Sequence, residues 1–240
     1  MMGMPITVTI ADPAANAGDV GAIFDYFQTV DDRFSPFKET SETAAINRGL
    51  PEERWSGDMQ TVAMLAEMTK RETEGYFDLT TPEGKFNPVG IVKGWAIKNA
   101  ADLLRRAGFK DFFVDAGGDI EASGLNSRGE KWSIGIKNPF AQDEIVKTLF
   151  ITDQGVATSG TYIRGDHIYD PHTGQPTRDI VSLTIVGRNV CEADRFATGA
   201  FAMGKDAILF IERCPSLEGY MIEKDGIATM TSGFLKYTEK

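Results

Sequence analysis

The 240-residue sequence predicts an α+β protein, one compact domain with mixed and antiparallel sheets packed against helices. Three observations predict it. Strand-like runs and runs of helical apolar spacing both recur along the chain. They follow one another without strict βαβ alternation, which disfavours a doubly wound parallel sheet. The hydrophobic share of 42% supplies a real core, and no segment reads as a disordered linker, a repeat or low complexity.

The elements follow in order. Residues 6–10 alternate Ile and Val with Thr and read as a strand. A helix is expected over 19–30, with Val20, Ile23, Phe24 and Phe27 at helical spacing and Asp19 as its N-cap. After the aromatic turn 34–37, a short helix over 41–47 ends at Arg48-Gly49. The segment 57–73 reads as an amphipathic helix with Val62, Leu65, Ala66 and Met68 on one side. A Gly-, Pro- and Thr-rich loop, 74–87, leads into a helix over 90–107 that Gly108 closes. A buried strand over 109–115 runs into Gly117-Gly118. Strands are expected over 132–137 and 146–152, joined through Asn138-Pro139, then over 156–160 and 182–186. Helices over 192–203 and 206–212 precede a hairpin, 219–223 with 227–230, around Lys224-Asp225-Gly226.

Charge narrows the partners. The net charge of −10 argues against bare nucleic acid and anionic membranes, which an acidic surface repels. It leaves room for an anionic small ligand, since a few local cations or a metal override the global sign. Two cysteines are too few for a disulfide scaffold and fit no zinc spacing. The first residues show no basic region, long apolar run or lipobox cysteine, so a cytoplasmic protein without membrane insertion is expected.

Four segments combine glycine turns with polar groups. In 75–80, Tyr76 and Phe77 beside Asp78 suit a flat ring and its hydrogen-bonding edge; the same loop also reads as aromatics packed on the core. In 87–95, Gly90 and Lys93 at a helix start suit a phosphate, or simply a solvated lysine, and the P-loop spacing is absent. Gly117-Gly118-Asp119 reads equally as an anion nest or an ordinary turn. The run 157–204 holds both histidines, His167 and His172, and histidine is the usual proton carrier near neutral pH. Within it, Asp194 and Thr198 lie four apart on an expected helix, so their oxygens share a face. Two hard oxygens one turn apart suit Mg²⁺ better than zinc; the alternative is a helix-terminal acid and a packed threonine.

In their joint order these segments resemble the ApbE family of FAD:protein FMN transferases. The resemblance rests on Met2-Gly3, Phe34-Ser35-Pro36-Phe37 with Ser41-Glu42, and Tyr76-Phe77-Asp78-Leu79-Thr80. It continues through Gly90-Ile91-Val92-Lys93-Gly94, Gly117-Gly118-Asp119 and Thr158-Ser159-Gly160. It closes with the 167–174 run, His-x-x-Asp-Pro-x-Thr-Gly, and with Ala193-Asp194 followed by Thr198. Nearly the whole chain is covered, so residues 1–240 are expected to form a single ApbE-like, FAD-binding transferase domain. Asn87 stands where the family has aspartate, Phe37 where it has tyrosine, and Lys98 where an aspartate is common.

The resemblance implies an assignment of residues. Asp194, Thr198 and the Gly90 carbonyl would hold Mg²⁺. Met2, Phe37, Tyr76, Phe77, Asp78, Asn87 and Lys93 would line the flavin nucleotide, with Gly117, Gly118, Asp119, Ser159, Gly160, Thr161 and Ile168 nearby. His167 would activate a Thr or Ser hydroxyl on an acceptor protein, which takes FMN through a phosphoester bond while AMP leaves. Two other readings stand beside this one: a Mg²⁺-dependent FAD pyrophosphatase and a non-catalytic flavin-binding protein.

Overall fold

In the computed structural model, which describes residues 3–161 and 168–239, the chain is built around one seven-stranded antiparallel sheet. Its order is β1 (Ile6–Ile10), β2 (Phe112–Ala116), β3 (Asp119–Ser123), β6 (Gln154–Gly160), β9 (Ile180–Gly187), β10 (Glu218–Glu223) and β11 (Ala228–Met230). The hairpin β4 (Trp132–Asn138) and β5 (Ala141–Ile151) forms a separate sheet, and β7 (Tyr169–Asp170) pairs with β8 (Gln175–Pro176). The helices are α1 (Ala17–Phe34), α2 (Glu42–Asn47), α3 (Gly57–Glu72), α4 (Val89–Arg106), α5 (Val190–Ala202) and α6 (Ala207–Arg213).

The alternation of strand side chains sorts the core. One sheet face turns Val8, Phe112, Val114 and Ala116 to α1, α3 and α4, and Leu183 and Ile185 to α5 and α6. The opposite face turns Ile120, Ala122 and Val156 to Ile134, Ile136 and Leu149 of the β4–β5 hairpin. Burial of these apolar surfaces on both faces is the main stabilising term. Among the described residues, no helix is long and apolar enough to cross a membrane.

Most expected elements appear within a residue or two, and the differences have physical causes. Asn16, not Asp19, caps α1: its side chain accepts from the Gly18 N–H while Asp19, at the third helical position, accepts from the Asn16 N–H. The helix runs on to Phe34, whose ring is buried and packs edge-on against Trp95, and it stops just before Pro36. In α3 the inward row is Met59, Val62, Ala66 and Thr69; Met68 is 44% exposed. Thr69 is accepted there because its hydroxyl donates to the Leu65 carbonyl, 2.8 Å away.

Strand β3 is the element the sequence hides. Its five residues, Asp-Ile-Glu-Ala-Ser, carry two carboxylates, yet all five are buried. Glu121 faces the helices and accepts from Arg105 of α4 at 2.8 Å and from the Val190 N–H at the start of α5 at 2.7 Å. These partners make a buried carboxylate tolerable. Gly117 and Gly118 form the two-residue turn between β2 and β3, with φ of 65° and 95°. Left-handed backbone at both positions is what a tight right-twisted hairpin requires, and glycine supplies it without strain.

Candidate functional site

Helices α4 and α5 cross where the sequence puts glycines on one and an acid on the other. A Cβ at Gly94 would lie 2.6 Å from Asp194 Cβ, so only glycine allows this approach. At Gly90 a Cβ would lie 3.6 Å from Thr198 Cγ2 and 3.2 Å from the Phe77 ring. Gly90, Gly94, Asp194 and Thr198 therefore meet at one crossing, as the two four-residue spacings allow.

Asp194 is 3% exposed. Its Oδ2 accepts from the Gly94 N–H at 2.7 Å, and its Oδ1 lies 3.7 Å from Lys93 Nζ. Lys93 also reaches Asp119 Oδ2 at 2.7 Å, while Asp119 Oδ1 accepts from the Thr158 N–H at 3.0 Å. Burial pushes the Asp194 carboxyl well above the usual range; Lys93 opposes this and Asp119 adds to it. Two carboxylates in so small a volume call for positive charge.

A cavity of about 630 Å³ opens beside this cluster. It lies between the main sheet and the β4–β5 hairpin, with Lys93, Gly117, Gly118, Ser159 and Gly160 along it. Its floor carries Thr158 and Thr184, whose hydroxyl oxygens are 2.9 Å apart, and its opposite wall is Ile134 and Ile136. The sequence missed much of this lining: Thr7, Phe113, Asp115 and Thr184 sit on strands, alternating with core residues. That alternation was the available signal, because Phe113 and Asp115, next in sequence to buried Phe112 and Val114, must face the other way. Burial raises the Asp115 carboxyl above its usual range, partly offset by the Gly118 N–H that it accepts at 2.8 Å.

The remaining residues of the sequence reading scatter more widely. Met2 and His167 lie outside the described residues. Phe37 is 92% exposed on the loop after α1. Phe77 is buried against Gly90, and Ile168 is buried among the side chains packed on α5 and α6. Tyr76 packs edge-on to His172 at 4.6 Å between ring centres. Asp78 is part-buried, which raises its carboxyl, but Lys70 at 2.6 Å and the Thr80 N–H at 2.7 Å hold it below the usual range. Asn87 Oδ1 accepts from the Val89 N–H at the start of α4. Thr161 continues the β6 ladder by donating its N–H to the Val181 carbonyl. The Gly117 and Gly118 N–H groups donate within the fold, to the Pro5 carbonyl and to Asp115 Oδ1.

Comparison with known proteins decides the family. The ApbE family model matches residues 2–85 and 81–221. The chain belongs to the ApbE family. A Vibrio cholerae FAD:protein FMN transferase is 32% identical over 181 residues, 70% of this ApbE-family chain and 52% of that protein. A Haemophilus influenzae protein of the same name is 27% identical over 224 residues, 86% of this chain and 62% of that protein. The chain thus spans between about half and under two thirds of these curated relatives. Among solved structures, a flavin transferase ApbE from Vibrio cholerae superposes with a TM-score of 0.88 at 25% identity, covering 99% of this chain and 96% of that one. The ApbE protein of Thermotoga maritima, at 23% identity and a TM-score of 0.87, shares the fold, covering 100% and 97%. The ApbE-like α+β architecture read from the motifs is therefore the architecture of the chain.

Proposed function

We propose that this chain, acting as one domain over residues 1–240, is a Mg²⁺-dependent FAD:protein FMN transferase. FAD would be the substrate, a Thr or Ser of an acceptor protein the recipient, and AMP the product released. The observation that carries the reading is the convergence of Lys93, Asp119 and Asp194 with Gly90 and Thr198, from which Lys93 reaches the lining of the cavity. The names of the relatives point the same way.

The donors fit Mg²⁺. Asp194 offers a buried carboxylate, Thr198 a hydroxyl one helical turn on, and Gly90, beside Thr198, a backbone carbonyl in the first turn of α4. The Gly94 N–H, whose helical acceptor is the Gly90 carbonyl, donates to Asp194. Hard oxygens completed by substrate phosphates are the set Mg²⁺ takes. When bound, the ion would supply charge neutralisation at the pyrophosphate.

The chain's own residues would do the rest. The cavity would hold and orient the nucleotide and exclude water. Lys93 would face the phosphates from the cavity rim. His167, in the position its motif assigns, would take the proton from the acceptor hydroxyl as that oxygen attacks the phosphorus on the flavin side. The bond to the AMP oxygen breaks as the new phosphoester forms. Loss of such a base would cost about 10² to 10⁴ in rate. The compartment we expect is the cytoplasm, where Cys191 and Cys214, both unbridged, would stay reduced.

The test incubates the protein with FAD and Mg²⁺, with and without a Thr-containing acceptor peptide, and follows AMP and peptide mass. Transfer predicts AMP with a peptide one FMN heavier, lost in Asp194→Ala and His167→Ala. AMP formed at the same rate without acceptor would make the chain an FAD pyrophosphatase. FAD bound with no AMP under any metal would make it a flavin carrier.

A further inference from the structure

Lys93 occupies an unusual place for a residue meant only to meet a phosphate. Its ammonium lies between two buried carboxylates, 2.7 Å from Asp119 Oδ2 and 3.7 Å from Asp194 Oδ1. Asp119 is 1% exposed and Asp194 3%. The backbone fixes one oxygen of each: the Thr158 N–H holds Asp119 Oδ1, and the Gly94 N–H holds Asp194 Oδ2. The other oxygen of each carboxylate is the one nearest Lys93.

Electrostatics makes the arrangement consequential. Two buried carboxylates side by side are costly without a cation, and Lys93 supplies one covalently tethered to α4. A divalent ion bound to Asp194 would stand within a few ångströms of that ammonium, and like charges so close repel strongly in a partly buried site. The lysine stem has four rotatable bonds, so its head can shift while the stem stays packed.

We propose that Lys93 is a resident counter-cation that competes with the divalent ion for Asp194, and that ion binding moves it away from Asp194 toward the phosphates of the substrate, while its contact with Asp119 is kept. The inference rests on the Asp194-centred site proposed above and deepens it. It makes metal binding and nucleotide binding interdependent: the phosphates give the displaced ammonium a partner. Metal alone then binds weakly, and metal with nucleotide binds well.

The test uses Mn²⁺ alone as the probe, an ion that oxygen ligands also accept. Free Mn²⁺ is followed by electron paramagnetic resonance against wild type, Lys93→Met, Lys93→Arg and Asp194→Asn. Lys93→Met is expected to bind Mn²⁺ at least about tenfold tighter than wild type, because the competing charge is gone. The same variant is expected to bind FAD more weakly, a split that general damage would not produce. Lys93→Arg, which keeps the charge, should stay near wild type. Equal or weaker Mn²⁺ binding by Lys93→Met overturns the inference while leaving the metal site standing. If wild type and Asp194→Asn take up Mn²⁺ alike, the Asp194-centred site falls, and this inference with it. Should Lys93→Met fail to fold without metal, thermal midpoints of Lys93→Gln decide. A larger rise with Mn²⁺ than in wild type supports competition, and an equal or smaller rise overturns it.

Discussion

On its helix-covered face the seven-stranded sheet carries Asp119 and Glu121, two carboxylates each 1% exposed. On the opposite face the same region turns Phe113, Asp115 and Ile120 toward a cavity of about 630 Å³. The first face is closed and held by specific pairs: Glu121 with Arg105 and the Val190 N–H, Asp119 with Lys93 and the Thr158 N–H. The second is open and lined by hydroxyls, apolar walls and one half-buried carboxylate. A closed polar face fixes the relative placement of α4 and α5, because buried charges tolerate only one arrangement of partners. An open face can admit a ligand without first breaking such pairs. Placement of charge and space for a substrate are thus divided between the two sides of one sheet, and they meet at its rim, at Lys93 and Gly117-Gly118.

The comparison can be broken from either side. Glu121→Ala should give the largest effect, since it leaves Arg105 and the Val190 N–H facing an empty buried site. A loss of about 2–4 kcal/mol is expected, read by urea denaturation: the buried Val190 N–H is left unpaired, while Arg105, 37% exposed, keeps Asp102. A loss under about 1 kcal/mol would show that the closed face is not held by these pairs. Gly94→Ala comes next. Its new Cβ would meet Asp194 Cβ at 2.6 Å and the Val190 backbone carbonyl at 2.9 Å, both fixed on α5. Overpacking of this kind costs about 1–3 kcal/mol. It should also weaken Mn²⁺ binding, because Asp194 and Thr198 are pushed from Gly90. Unchanged stability and unchanged binding together would mean that the crossing is looser than this geometry.

Asp115→Asn on the open face should give the smallest effect, and a different one. Burial raises the Asp115 carboxyl in the folded state, so between its unfolded and folded values the native protein holds more protons than the unfolded chain. Stability contributed through Asp115 therefore falls as pH rises above the ordinary carboxylate range. Asparagine keeps an acceptor for the Gly118 N–H and removes that pH dependence. The expected outcome is a flatter stability profile on the acid side of neutral, with little change below the ordinary carboxylate range. An unchanged profile would show that Asp115 titrates as a free carboxylate.

Much of the helical scaffold was legible because its signals are local. The 3.6-residue spacing in α4 and α5 and the glycine after α4 lie within one turn or two of the residues they govern. The four-residue spacing that puts Asp194 and Thr198 on one face of α5 was legible for the same reason. Strand β3 was not, because its buried carboxylates make sense only once Arg105 and Val190 arrive from elsewhere in the chain. Asn16 was passed over for Asp19 since both residues take part in one capping box, and only the backbone shows which is the cap.

The sequence by itself determined the order of elements, the family motifs and the two glycines that let α4 lie close to α5. Those properties depend on neighbours a few residues away, where covalent geometry limits the choices. Only the tertiary structure decided that Lys93 faces Asp119 as well as Asp194, and that the cavity lies across the sheet from the helices. It also decided that Phe37 stands exposed while Phe77 and Ile168 go into the core. Those placements follow from the antiparallel pairing of β3 with β6, joined across more than thirty residues of sequence, and from which face each strand turns to the helices. A one-residue shift in that pairing would send Asp119 to the cavity side, and no local pattern in the chain encodes the register.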